Sequence, residues 1–288
     1  MEYIKYYDEI VKRRESCRNF IMNDVEPAKI EELYEYYNQE TLLVPEIATE
    51  LKTYSFDDLE KTEGSVGYNG FLIKAPHYLV LFSEEKDHYL ENAGFIAQGI
   101  TLKMTQLDIA ACWLTVNDAE VAKKTIGEKT DKTIAAVIAF GYRDKDVTET
   151  RLDIKSPSNV EMIQSGTKAA PKISLDDLVS YKVYSQPLET EKLYTDLESA
   201  LLAASKSQSF LNRQPYRLIF DDSYVYLIGL EDEITDEADK YLNYGILMFN
   251  FYAVMDSVRA NAPIWTFEAA DEDLKLPEDA TYIAKCGI

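Results

Sequence analysis

The sequence predicts an α+β protein in which a central mixed or antiparallel sheet is wrapped by helices. Two long segments, 89–107 and 241–259, are apolar on more than one face, which predicts a buried central helix in each half of the chain. Strand-length apolar runs at 77–82 and 133–141 predict buried strands. Because each central helix is followed by a tryptophan and a closing strand, we expect the two halves to repeat one plan.

The other elements follow from caps, turn signals and alternation. Pro27 after Asp24 predicts a helix start, and Asp221-Asp222-Ser223 between two alternating runs predicts a hairpin. Residues 38–70 predict a loop with a short helix around 47–51. We expect further helices at 3–13, 26–37, 117–126, 174–181 and 193–205, and further strands at 110–114, 216–220, 224–228 and 281–286.

The domain organisation follows from one polar stretch. Residues 151–172 contain proline, glycine and serine and predict a linker between an N-terminal half, 1–150, and a C-terminal half, 173–288. Each half is short for an α/β domain with its own ligand pocket. We therefore expect the halves to pack helix against helix and to share one core.

The amino-acid composition limits which partners the protein can bind and indicates the compartment in which it functions. A formal net charge of -21 argues against nucleic acid or an anionic membrane surface. Three separated cysteines predict free thiols in a reducing compartment, and the polar N-terminus is unlike a signal peptide, so we expect a cytoplasmic protein. Two histidines without clustered cysteines predict no structural zinc site and no other metal.

The densest group of positive charge lies near the N-terminus. Lys12, Arg13, Arg14 and Arg18 lie within seven residues of an otherwise acidic chain, together with Ser16. Arginine forks and a hydroxyl group suit a phosphate group, so the segment is a candidate phosphate site. A solvated helix end, where cations are also favoured, is the alternative interpretation.

Residues 13–20 have the sequence Arg13-Arg14-Glu15-Ser16-Cys17-Arg18-Asn19-Phe20. Three further motifs are an apolar helix with a following Cys-Trp strand, a strand ending Gly-Tyr, and an Asn-x-Gln-Pro sequence, and they lie at 91–114, 138–142 and 209–216. Together the four motifs resemble the flavin-dependent nitroreductase family, whose opening Arg-Arg-Ser-x-Arg-x-Phe motif is similar to residues 13–20 with Glu15 inserted. The Asn-x-Gln-Pro motif falls in the second half, as in a subfamily in which two subunits are fused into a pseudo-dimer.

The resemblance implies one FMN site per chain, where the two halves meet. Arg14, Ser16 and Arg18 correspond to the family's phosphate contacts. Arg13 lies one residue off the motif and is either a further phosphate contact or structural. Arg151 follows the Gly-Tyr strand, where a further phosphate contact is common and a surface ion pair is the alternative. Ser209, Asn212 and Gln214 correspond to contacts with the flavin ring and ribityl chain. Leu114 and Thr115 lie where a backbone N–H approaches the flavin. The family usually has glycine there, so Thr115 is the main departure.

The family implies a ping-pong oxidoreductase. NAD(P)H would reduce FMN, and a nitroaromatic or quinone would accept the electrons, with no catalytic side chain strictly required. Two alternatives stay open: a flavin- or ligand-binding protein without turnover, and a scaffold whose pocket is filled by aromatic side chains. A fused pseudo-dimer needs no partner chain, so we expect a monomer or a weak homodimer.

Overall fold

The computed structural model describes residues 6–67, 71–146, 149–156, 159–165 and 171–288; for the strands between 149 and 165 it describes the backbone alone. The contacts divide the chain into two compact units. One is Arg14–Ala170, and the other joins Met1–Arg13 to Pro171–Ile288. Helices and mainly antiparallel sheets occur in both units, so the α+β class is confirmed. None of the described helices is long and apolar enough to cross a membrane.

The Arg14–Ala170 unit is built around an antiparallel sheet with the order β2-β4-β6-β5-β3, and β1 also pairs with β6. The central strands are the apolar runs of the sequence, which are buried from both sides. The strands are β1 (Phe20–Ile21), β2 (Thr49–Ser55), β3 (Val66–Gly67), β4 (His77–Ser83), β5 (Ala110–Val116) and β6 (Thr133–Arg143). A separate antiparallel pair follows, β7 (Glu149–Ser156) with β8 (Asn159–Ser165).

The helices of this unit are α1 (Pro27–Gln39), α2 (Phe56–Leu59), α3 (Tyr89–Gln106) and α4 (Ala119–Thr125). Helix α3 is buried along most of its length, which confirms the predicted central helix. Helix α4 begins where the sequence predicts it, because the Asp118 carboxylate accepts a hydrogen bond from the Val121 backbone N–H at 2.9 Å.

The second unit has a sheet with the order β12-β11-β10-β9. Its strands are β9 (Val179–Tyr181), β10 (Tyr216–Phe220), β11 (Tyr224–Leu230) and β12 (Ala280–Gly287), and its helices are α5 (Leu175–Leu178), α6 (Thr195–Ser205) and α7 (Glu237–Val258). The predicted hairpin is confirmed, since β10 and β11 pair antiparallel across residues 221–223. Helix α7 is the second central helix and is buried over most of its length.

Some predicted elements were wrong. No helix forms around 47–51: residues 47 and 48 precede β2, and residues 49–51 begin it, because Thr49–Ser55 pairs along its whole length with β4. Its mostly polar side chains hide that strand in the sequence. The expected linker, 151–172, contains most of the β7–β8 pair. The expected helix at 3–13 is a π-helical turn, Tyr7–Val11, which packs against α6, while Tyr3 lies outside the described residues.

The two units repeat one arrangement. In the first, α1 leads into β2, and β2, β4 and β6 are consecutive antiparallel neighbours, with α3 following β4. In the second, α6 leads into β10, and β10, β11 and β12 are consecutive antiparallel neighbours, with α7 following β11. The tryptophans also correspond. Trp113 lies on β5, which pairs with β6, and Trp265 lies next to Thr266, which forms a bridge with β12. The repeat predicted from the sequence is therefore present in the topology.

A buried asparagine marks the same position in both units. Asn92 on α3 accepts a hydrogen bond from the Val44 backbone N–H at 2.9 Å. Asn243 on α7 accepts one from the Phe210 backbone N–H at 3.1 Å. Both asparagines precede a glycine by two positions. Each pins the chain between a helix and the following strand to the central helix of its own unit.

Candidate functional site

The cationic segment, residues 14–18, lies beside the start of β5. Ser16 forms a parallel bridge with Ala111, and the Cys17 backbone N–H donates to the Ala111 carbonyl at 2.9 Å. The Cys17 side chain is fully buried, whereas Arg14, Ser16 and Arg18 are partly exposed. The buried thiol thus anchors the segment, while the side chains of Ser16 and Arg18 on either side of it stay partly exposed.

Glu15, the residue inserted into the phosphate motif, has a partner of its own. Its carboxylate forms an ion pair with Arg143 at 2.8 Å. Arg143 ends β6 and pairs in register with Phe20, which places it next to the segment. The ion pair offsets the negative charge that Glu15 brings between the arginines. The ion pair was not predictable from the sequence, because Arg143 lies 128 positions from Glu15.

Two other predicted phosphate contacts, Arg13 and Arg151, are described by their own surroundings. Arg13 is exposed, and its Nη1 donates to the Glu9 carbonyl at 3.4 Å, within the preceding turn. Arg13 belongs by its contacts to the unit that contains Pro171–Ile288, whereas Arg14 begins the other unit. Arg151 lies on β7, and its side chain is outside the described residues.

Leu114 and Thr115 lie further along the strand that carries Ala111. Both are buried, with exposed fractions of 4% and 8%. At about 3.3 Å per residue, the four steps from Ala111 to Thr115 span roughly 13 Å along β5. One strand thus joins the cationic segment to the position expected to approach a flavin ring. Gly67 on β3 lies directly opposite Thr115, so a glycine is present here on the neighbouring strand.

The third predicted group lies in the loop at 207–215, which we call the amide loop. The Ser209 hydroxyl accepts a hydrogen bond from the Gln214 backbone N–H at 2.9 Å. Gln214 Oε1 accepts one from the Ile173 backbone N–H at 2.9 Å, and Gln214 Nε2 donates to the Asn212 carbonyl at 3.1 Å. Asn212 Nδ2 donates to the Pro171 carbonyl at 2.8 Å. The predicted amides lie together, and in this structure they bind the segment at 171–173.

Two charged side chains that lie outside the amide loop, Lys172 and Asp232, bind it. Lys172 Nζ donates to the Ser207 carbonyl and to Asn212 Oδ1, both at 2.7 Å. Arg213 forms a bidentate pair with Asp232, with contacts from 2.6 to 3.2 Å. The Arg213 guanidinium lowers the pKa of the Asp232 carboxyl to about 2. Lys172 was missed from the sequence, since nothing in its polar surroundings distinguishes it from a surface lysine.

Comparison with known proteins identifies the family of this chain and a solved structure with a similar fold. Residues 7–246 match the model of the family described as Putative TM nitroreductase. The structure is similar to the crystal structure of a putative nitroreductase from Thermotoga maritima, with a TM-score of 0.57, 13% identity, and coverage of 99% of this chain and 94% of that chain. No curated protein matches the sequence.

Two further structures resemble about half of the chain. One is an FMN-dependent nitroreductase from Clostridium difficile, with a TM-score of 0.42, 20% identity, and coverage of 48% of this chain and 88% of that one. The other is a nitroreductase with bound FMN from Desulfitobacterium hafniense, with a TM-score of 0.43, 17% identity, and coverage of 49% and 91%. The fold assignment depends on the family model and on the Thermotoga structure.

Proposed function

Because the chain belongs to the Putative TM nitroreductase family, we propose that it binds FMN and is a flavin-dependent oxidoreductase of the nitroreductase type. The observation that carries the proposal is the cationic segment. Arg14, Ser16 and Arg18 lie on one anchored stretch beside β5, and the intervening carboxylate is paired with Arg143. Such a set of donors suits a phosphate dianion.

Two groups of donors fit the chemistry of FMN. Arg14, Ser16 and Arg18 would hold the phosphate. Ser209, Asn212 and Gln214 would contact the ring edge and ribityl chain, since an amide offers both a donor and an acceptor. The backbone at Leu114 and Thr115 would approach the ring. Arg13 and Arg151 stay in the proposal as secondary contacts of the phosphate.

The proposed reaction is a ping-pong transfer of reducing equivalents. NAD(P)H would be the donor, and a nitroaromatic or a quinone would be the acceptor. FMN, when bound, supplies the redox chemistry. The task of this chain is then to bind the phosphate, to fix the ring by hydrogen bonds and to restrict water at the buried strand β5. The proposal includes no metal and no catalytic side chain.

A second candidate is a flavin-binding protein of the same fold without turnover. Two observations favour it. The side chain of Thr115 stands where the family has glycine, and the amides of Asn212 and Gln214 already bind the segment at 171–173. Anaerobic addition of NADH or NADPH separates the two candidates. Bleaching of the bound flavin supports the oxidoreductase, and a tightly bound flavin that stays oxidised supports the binding protein.

The phosphate assignment is tested by comparing FMN with riboflavin, which lacks the phosphate. We expect wild-type protein to prefer FMN, and the double variant R14A/R18A to lose that preference. Each lost charge-assisted hydrogen bond weakens binding by about tenfold to a hundredfold, so FMN affinity should fall by at least about a hundredfold. Affinity for riboflavin should stay nearly constant. Quenching of flavin fluorescence measures both dissociation constants.

The matched control is K124A/K129A. Lys124 and Lys129 are exposed residues of the same unit, and their removal changes the net charge by the same amount. We expect this variant to keep the preference for FMN. An equal loss in both double variants would mean that general electrostatics, rather than a phosphate site, governs binding.

A further inference from the structure

The amide loop has an unusual backbone. Leu211, Asn212 and Gln214 all have positive φ angles, of 47°, 59° and 53°. Asparagine adopts this left-handed conformation with some ease, but leucine and glutamine rarely do, because their Cβ crowds the backbone. Three such residues within four positions are strained, so neighbouring contacts must hold them in place.

The fold itself does not require this strain. The equivalent connection in the Arg14–Ala170 unit, residues 40–48, also joins a helix to a strand and is also pinned by a central-helix asparagine. No residue of that stretch has a positive φ. The strain therefore belongs to the copy that carries Asn212 and Gln214. Strained backbone at one copy of a repeated element points to a local task.

Lys172 joins the two parts of the strained loop. Its ammonium donates to the Ser207 carbonyl at the start of the loop and to Asn212 Oδ1 within its left-handed stretch. An ammonium has donors only, so it fixes which end of the Asn212 amide is the oxygen. The carbonyl of the adjacent residue, Pro171, accepts from Asn212 Nδ2 and fixes the other end.

We propose that Lys172 is the positioning residue of the amide loop: it holds the loop in its strained conformation and sets the orientation of the Asn212 amide. The part of this proposal that concerns FMN binding rests on the proposed function. The part that concerns the conformation of the loop does not. Lys172 lies outside every motif of the sequence. It acts through Asn212 and is not proposed to contact a reacting atom.

The first test uses the full chain without FMN. Hydrogen exchange measures how often the backbone N–H groups of Asn212, Arg213 and Gln214 open. In K172M we expect these groups to exchange about tenfold to a hundredfold faster, because the charge-assisted hydrogen bonds to the Ser207 carbonyl and to Asn212 Oδ1 are lost. The amides of β4, in the other unit, should not change. K172R keeps a cation and should show a smaller effect.

The matched control is K192M, which removes an exposed lysine from the same unit. Unchanged exchange in this variant, together with faster exchange in K172M, supports the proposal. Equal exchange of the loop amides in K172M and wild type would overturn it. If K172M does not fold, N212A removes the acceptor of the same hydrogen bond, and its loop amides should exchange faster by a similar factor.

The second test is a double-mutant cycle on FMN affinity. If Lys172 acts through Asn212, then K172M/N212A should bind FMN no more weakly than N212A alone. Losses that multiply would mean that Lys172 acts independently of Asn212, and would overturn the positioning role. A wild-type protein that binds no FMN would refute the proposed function, but the exchange experiment would still decide the role of Lys172.

Discussion

At the scale of single residues, Glu15 and Arg143 show how a departure from a family pattern is accommodated. A carboxylate between Arg14 and Arg18 would repel the phosphate group that they are proposed to bind. The ion pair at 2.8 Å to Arg143 supplies a compensating charge, and both side chains are only partly exposed. The exposed fractions of 22% for Arg143 and 40% for Glu15 limit the strength of the pair, since water and salt screen it.

The pair leads to a prediction about ligand affinity. In R143A the Glu15 carboxylate loses this partner, so FMN affinity should fall by about threefold to tenfold, while riboflavin affinity changes little. In the double variant E15Q/R143A, the E15Q substitution removes the repelling charge and should restore most of the FMN affinity. Fluorescence titration measures each variant. If the double variant binds FMN as weakly as R143A, then Arg143 contributes in some way other than by neutralising Glu15.

At the scale of elements, His77 joins the stretch before α1 to the sheet. The Val25 backbone N–H donates to His77 Nε2 at 3.1 Å, which requires that this nitrogen be unprotonated. Burial lowers the pKa of His77 below its ordinary value of 6.5, and Asp24 opposes the shift in part. The neutral ring is therefore favoured in the folded state. Its contribution to stability is complete above pH 6.5 and is lost as the pH falls through the folded-state pKa.

This contact predicts a pH-dependent effect of H77Q. Near pH 7.5 the variant should be less stable by about 0.5–1.5 kcal/mol, the usual contribution of one hydrogen bond. Near pH 5 the difference should be smaller, because below pH 6.5 the unfolded chain takes up a proton at His77 that burial disfavours in the folded state. Urea unfolding at the two pH values measures the free energies of unfolding. A difference that does not change with pH would contradict the role assigned to the neutral ring.

The elements also show what the sequence could reveal. Helices α3 and α7 and strands β4 and β6 were predictable, because their apolar runs decide their structure locally. Strand β2 was not, because only Leu51 is buried on a strand of mostly polar side chains, and its pairing with β4 forms it. In the candidate site, Arg14 and Asn212 were predicted by motif. Arg143 and Lys172 were missed, since their roles depend on contacts that no local pattern encodes.

At the scale of the whole molecule, the chain repeats one arrangement, but the residues proposed to contact FMN differ between the copies. The cationic segment and Thr115 belong to the Arg14–Ala170 unit, and the amide loop belongs to the other. The equivalent of the amide loop, residues 40–48, has neither an asparagine nor a glutamine after Glu40. Because the chain has one cationic segment and one amide loop, the proposal predicts a single FMN per chain.

The central claim is most directly tested by the visible absorption spectrum of the purified chain, before and after FMN is added, with the pigment then released and identified. We expect a flavin band that corresponds to about one FMN per chain, either as purified or after reconstitution. A chain that is colourless and leaves the spectrum of added FMN unchanged would contradict the claim. The family fold would then persist here without its cofactor, and the oxidoreductase proposal would be withdrawn.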